Sequence, residues 1–162
     1  MLAKVITGTQ LTALRDGALT CERKRLHLNV HGDFDSEVQM FWNVALSDSY
    51  IRPHKHHIES GDETILVVSG ECALILFDDV GNITKIINLR SMSSFLDKGA
   101  ICVTVPALVF HTVVMLSEYV VLFETKKGPF NPQTAKVFAA WAPAEDANES
   151  KNYLSSLKEQ CC

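Results

Sequence analysis

His54-Lys55-His56, followed by Glu63 and later by His111, are the residues whose types and spacing could do chemistry. Three imidazoles and one carboxylate are a common donor set for a divalent transition metal. Zinc, iron, manganese, nickel and copper all accept such donors, and residue types alone do not choose among them. A five- or six-coordinate ion would keep positions open for a substrate oxygen or a water, whereas a closed tetrahedron would be structural. Two neighbours compete for the same roles. A bulge would let His57 replace His56, or Glu59 replace Glu63. His27 and His31 are not expected to coordinate.

These side chains meet only if the right elements carry them. A strand alternates its side chains between two faces, so His54 and His56 would point one way and Lys55 the other. Glu63 opens a second strand, whose apolar run Ile65-Leu66-Val67-Val68 stops at Ser69-Gly70. His111 lies in a third strand over 109–115. Donors from three strands converge only on a curled sheet. The rest of the pattern agrees. Residues 9–19 read as a short helix with Thr9 as N-cap. Residues 26–30 read as an edge strand and 38–46 as a stronger one. Strands over 64–68 and 73–77 read as a hairpin around Ser69-Gly70-Glu71. A turn at 78–82 leads into 83–89, and strands over 100–105, 109–115 and 119–124 follow. About eight short strands separated by turn residues indicate an antiparallel sandwich or barrel. Beyond Lys127 the chain is expected to leave the sheet, through a helical turn at 132–138 and a helix at 150–158. Tyr153, Leu154 and Leu157 lie on one side of that helix, as in an external cover.

Composition narrows the classes. At 162 residues, 47% apolar and 21% charged, the chain has the size and make-up of one globular domain. Its net charge of −4 argues against a nucleic-acid-binding domain. The short basic run Arg23-Lys24-Arg25 reads as solvated surface. Apolar runs are strand-sized, and the N-terminus lacks a signal peptide's sustained apolar stretch, so a cytoplasmic protein with no membrane contact is expected. Five cysteines, an odd number without a tight framework, do not suggest a disulfide scaffold. Cys72 and Cys102 read as buried small hydrophobes, and Cys161-Cys162 as an inert tail.

Around the metal donors, Gln39, Asn43 and Glu124 could each face the interior from a strand and orient the imidazoles. Arg52 shares parity with His54 and His56. If it turns inward it needs an anionic partner, either Glu124 or a substrate carboxylate or phosphate. Tyr50, with Phe41 and Trp42, is a candidate for the pocket mouth. No phosphate-binding glycine loop or dinucleotide fingerprint occurs, and no catalytic residue can be assigned.

The segment from His54 to Gly70 resembles the first cupin motif, in which HxH precedes a glutamate and six residues separate that glutamate from a glycine. The gap from His56 to Glu63 is longer than the usual three or four residues, so the loop carries an insertion. Pro106 to His111 resembles the second motif, PxGxxH, with Leu108 where the pattern has glycine. Glycine there permits positive φ, so leucine puts the local turn in question. More closely, the chain resembles the WbuC family of cupin-fold metalloproteins. The resemblance rests on Leu28-Asn29-Val30-His31, Val38-Gln39, Tyr50-Ile51-Arg52-Pro53-His54-Lys55-His56, Leu76-Phe77-Asp78, Phe123-Glu124, Lys127-Gly128-Pro129-Phe130 and Trp141-Ala142-Pro143-Ala144-Glu145.

The resemblance implies an all-β fold: one cupin (double-stranded β-helix, or jelly-roll) barrel over 26–126, a helical arm over 1–25 and a C-terminal extension over 127–162. It implies one divalent metal on His54, His56, Glu63 and His111. It also implies a link to surface-polysaccharide synthesis, a small sugar-derived or acidic ligand, and a homodimer. An isomerase, epimerase or oxygenase would fit. So would a non-catalytic metal-dependent binding module, or a structural cupin.

Overall fold

The computed structural model describes residues 3–92 and 99–161. Met1, Leu2 and Cys162 lie outside the described residues. Among the described residues the chain forms two five-stranded antiparallel sheets and two short helices, a jelly-roll arrangement.

The first sheet has the order β1-β2-β9-β4-β7, built from β1 (Arg25–Asn29), β2 (Val38–Leu46), β9 (Tyr119–Lys127), β4 (Glu63–Ser69) and β7 (Cys102–Val105). The second has the order β10-β3-β8-β5-β6, from β10 (Val137–Phe138), β3 (His54–Lys55), β8 (Phe110–Met115), β5 (Glu71–Phe77) and β6 (Ile83–Arg90). Between them lies a core of Ile65 and Val67 from β4, Leu74 from β5, Val113 and Met115 from β8, and Val120 and Leu122 from β9. Period-two alternation produces this inner face.

β5 and β8 are buried on both faces. Their outer side chains Ala73, Ile75, Phe110 and Val114 pack under Ala139, Ala142, Leu154, Leu157 and Cys161 of the C-terminal segment. Hence β8 is buried at every position. The cover ends in α2 (Ser150–Gln160), while α1 (Gly8–Thr20) packs against β1 and β2. Arg25 ties the first sheet to this cover through a bidentate pair with Glu145, at 2.6 and 2.7 Å.

Several expectations are corrected. The cap of α1 is Thr7, whose hydroxyl accepts from Gln10 N–H while the Gln10 side chain accepts from Thr7 N–H, a capping box. Thr9 lies one residue inside the helix. β4 and β5 do not pair as a hairpin. Gly70, at φ +83°, turns the chain from one sheet to the other, and a Cβ there would collide with the Tyr119 carbonyl. Residues 132–138 do not form a helical turn throughout. They return to the second sheet as β10, which pairs with β3. Cys102 is exposed, because edge strand β7 turns it outward, whereas Cys161 is packed in the outer core. Arg25 is buried rather than solvated.

Candidate metal centre

β3 and the residue just beyond it, together with β4 and β8, deliver the four predicted donors to one place. His54 and His56 leave the same face of the chain, while Lys55 turns outward to Asp79 and the Phe110 ring. Glu63 is the first residue of β4 and opens its inward series with Ile65 and Val67. His111 pairs with His54 across β3 and β8. The ligand-type atoms of His54, His56, Glu63 and His111 all lie within 4.8 Å of one another. All four side chains are buried, with 4%, 3%, 5% and 1% exposure respectively.

The backbone fixes each imidazole. Nδ1 of His54 lies 2.9 Å from the Arg52 carbonyl oxygen, Nδ1 of His56 2.7 Å from that of Ala135, and Nδ1 of His111 2.9 Å from that of Val109. A carbonyl oxygen only accepts, so each Nδ1 donates. In a neutral ring, that leaves a lone pair on Nε2. The Nε2 atoms of His56 and His111 lie 3.1 and 3.3 Å from Oε2 of Glu63. Without a cation, both of those rings would have to be protonated to donate to the one carboxylate. A cation satisfies the lone pairs and the carboxylate together, so the donor chemistry fits a metal. Burial, followed by the charge of Lys136 and the proximity of His111, pushes His54 well below its ordinary pKa and keeps it a neutral donor. In the metal-free cluster, where Nε2 of His111 and His56 carry protons, burial by itself would raise Glu63, yet hydrogen bonds from those two rings hold it well below the carboxylate range.

The longer loop of the first motif is a short 3-10 turn, Ile58–Ser60, ending at Gly61 with φ +64°. It carries Glu59 into solvent and leaves His57 at its N-terminal end, so neither joins the cluster. Leu108 takes the positive φ that the motif gives to glycine, at +67°, and its N–H donates to the His56 carbonyl at 3.0 Å.

Beside the cluster opens a cavity of about 440 Å³. Gln39, Asn43 and Glu124 line it from inward strand positions, but they make no hydrogen bond to the imidazoles among the described residues, whose Nδ1 atoms are held by backbone carbonyls instead. Gln39 donates to the Phe34 and Ser36 carbonyls and so braces the 34–36 loop. Asn43 donates to Glu124 at 3.1 Å. Burial first, then the charge of Glu63, pushes Glu124 up to about 7 despite the Asn43 hydrogen bond.

Arg52 and Tyr50 are not on the cavity lining. The chain before His54 is not a strand, so parity does not extend back to them. Arg52 donates to the Ala139 carbonyl, lies over the Phe138 ring and leaves its Nε without a partner. Tyr50 donates to the Pro143 carbonyl and packs on Tyr153 beneath α2. Of the other aromatics, Phe41 lines the cavity and Trp42 faces away toward Phe123.

The sequence reading missed several cavity residues: His27, Phe34, Lys126, Phe130 and Lys136. Lys126 could have been found by parity, two residues beyond Glu124 on β9. Lys136 had no local signal, because only the return of the chain as β10 brings it to the barrel. Lys136 is exposed overall yet contributes to the cavity lining. Removal from water, with Lys126 and Arg25 nearby, pulls it below its ordinary pKa against the opposing pull of Glu63 and Glu124.

Solved structures share the fold at low identity. Protein SO0799 from Shewanella oneidensis is 8% identical, with 69% of this chain and 72% of that chain covered and a TM-score of 0.55. A conserved protein of unknown function from Streptococcus pyogenes is 11% identical, with 81% and 92% covered and a TM-score of 0.51. A recombinant oxalate oxidase in complex with glycolate is 12% identical, with 70% and 54% covered and a TM-score of 0.51. No curated protein matches the sequence. Among the described residues, no helix is long and apolar enough to cross a membrane. A family model matches residues 6–89, a span that includes His54, His56 and Glu63, and the chain therefore belongs to the family described as a domain of unknown function, DUF6016.

Proposed function

We propose that this protein is a cupin-fold metalloprotein that binds one divalent metal on His54, His56, Glu63 and His111 and acts on a small sugar-derived or acidic metabolite. One observation carries the reading. Three separate backbone carbonyls hold the Nδ1 protons, turning three Nε2 atoms and one carboxylate toward a common point. A bound metal would supply Lewis acidity to a ligand oxygen or acidify a bound water.

The chain's own residues do the rest. The carbonyls of Arg52, Ala135 and Val109 orient the donors, and the apolar core below excludes water. Asn43 holds the Glu124 carboxyl, which can carry a proton near neutral pH, on the cavity wall. The cavity next to the cluster favours a ligand-binding centre over a metal that only braces the barrel. The proposed place in surface-polysaccharide metabolism is supported by the WbuC resemblance.

Elemental analysis tests the metal. Protein purified without added metal should carry close to one equivalent, and His54→Ala should lose it. Absence of metal from wild-type protein, even after incubation with each of the candidate ions, would overturn the reading. Turnover that vanishes on chelation and returns with a single ion would separate an enzyme from a binding module.

A further inference from the structure

We propose that Lys126 and Lys136 form an anion clamp in the barrel cavity, so that the molecule bound beside the histidine cluster carries a carboxylate or phosphate group. The proposal rests on the cavity being the ligand site, as argued above.

The two lysines reach the cavity from opposite sheets. Lys126 follows Leu122 and Glu124 on the inward face of β9 in the first sheet. Its ammonium lies over the Phe41 and Phe130 rings, 5.8 and 5.6 Å from their centroids. Lys136 immediately precedes β10 in the second sheet. Its neighbour Ala135 supplies the carbonyl that orients His56, so one dipeptide both fixes a donor and brings a cation beside it. The Lys136 charge acts on His27, His54 and Glu124, which line the same cavity.

Neither lysine has an ion pair or a side-chain hydrogen bond among the described residues. The other charged groups are engaged. Arg25 is held by Glu145, Glu63 by His56 and His111, and Glu124 by Asn43. Lysine usually places its ammonium in open water and lays its stem on the surface. The two ammoniums share one cavity with no carboxylate in ion-pair contact, and Glu63 and Glu124 offset their charge only at longer range, so an anion placed between them is attracted by both. A divalent metal on the cluster would add further positive charge. The lining mixes apolar side chains, Phe41, Phe130, Ile51, Ile65 and Val113, with polar ones such as Asn29, Gln39 and Asn43. The ligand this shape accepts is small. One end is anionic for the lysines, and the other offers oxygen to the cluster. A hydroxy acid and a monosaccharide phosphate both qualify.

Calorimetric titration of the metal-loaded full chain tests this with malate, glucose 1-phosphate, inorganic phosphate and neutral glucose. At least one anion should bind, with affinity falling as salt rises, and glucose should not. Binding by malate alone identifies a carboxylate, and binding by the phosphates identifies a phosphate. Lys126→Gln and Lys136→Gln should each weaken the anion by about tenfold or more, as loss of a charged hydrogen bond does. Lys127→Gln, exposed and outside the cavity, should leave it unchanged. Metal content should stay at wild-type level in all three variants. No anion binding in the millimolar range, or equal binding by the double Lys126→Gln/Lys136→Gln variant, would overturn the clamp even where metal is present. The same titrations on chelated protein keep the two readings apart. Lysine-dependent anion binding there upholds the clamp even if wild-type protein proves to hold no metal.

Discussion

His54 stands directly opposite His111 in the register of β3 and β8, with ring centroids 4.7 Å apart. β3 is only two residues long, so this pairing places His54, and through it His56, against the longer and fully buried β8. The cluster therefore joins a short strand held by few backbone bonds to the centre of the second sheet. Glu63 joins the same point to the first sheet.

Metal should stabilise the fold through these cross-links. Free metal at a hundred times its dissociation constant should add about 2.7 kcal/mol. Urea denaturation with and without chelator measures this. His111→Ala should abolish the difference, and an unchanged difference would count against the centre.

Glu124 should give metal-free protein a pH signature. Its folded pKa, about 7, lies above the ordinary 4.5. Stability from this group is therefore full below about pH 4.5 and declines as pH rises, with the loss complete above about 7, on the order of 3 kcal/mol. Glu63 has the opposite sign, its contribution being lost only as pH falls below the ordinary carboxylate range. Urea midpoints of chelated protein across this window should fall with rising pH in wild type, and the fall should flatten in Glu124→Gln.

Leu108 tests the departure from the second motif. A side chain at φ +67° costs about 1 kcal/mol, and glycine relieves it while gaining unfolded-state entropy of similar size. Leu108→Gly should therefore stay within about 1 kcal/mol of wild type and keep full metal content. Leu108→Val, β-branched at the same φ, should lose a further 1–2 kcal/mol, roughly. Thermal denaturation and elemental analysis of both variants check this.

Arg25 and Glu145 form a bidentate pair in which the arginine is only 8% exposed. Glu145→Ala leaves that guanidinium buried and unpaired and should cost about 3 kcal/mol in urea denaturation. Arg23→Ala, whose side chain is 59% exposed although it reaches the same carboxylate, should cost less than about 1 kcal/mol.

Much of this molecule could be read from local pattern. β2 was legible end to end because a nine-residue, mostly apolar run rich in aromatic and β-branched residues favours a strand. The four clustered side chains were legible because HxH, a glutamate and a later histidine are a distinctive combination of residue types. Signals that depend on what packs outside were not. Parity carried back from His54 turned Arg52 inward, and Tyr50 read as a candidate for the pocket mouth, but residues 51–53 are not in a strand, and both side chains go to the C-terminal cover. The apolar runs around Ser69-Gly70 looked like hairpin arms. A one-residue corner that switches sheets has the same local sequence. The Thr7-Gly8-Thr9-Gln10 capping box is present in the sequence, but the N-cap was read at Thr9, two residues late.

The sequence alone determined the strand-rich class and the chemical identity of the donor set, since alternation and side-chain type are properties of neighbouring residues. The tertiary structure decided the rest. It supplied the carbonyls of Arg52, Ala135 and Val109 that set the imidazole tautomers, the pairing of Arg25 with Glu145, and the meeting of Lys126 with Lys136. Each joins elements distant along the chain or depends on how the backbone turns a carbonyl, and only closure of the two sheets brings such groups within hydrogen-bonding or Coulombic range.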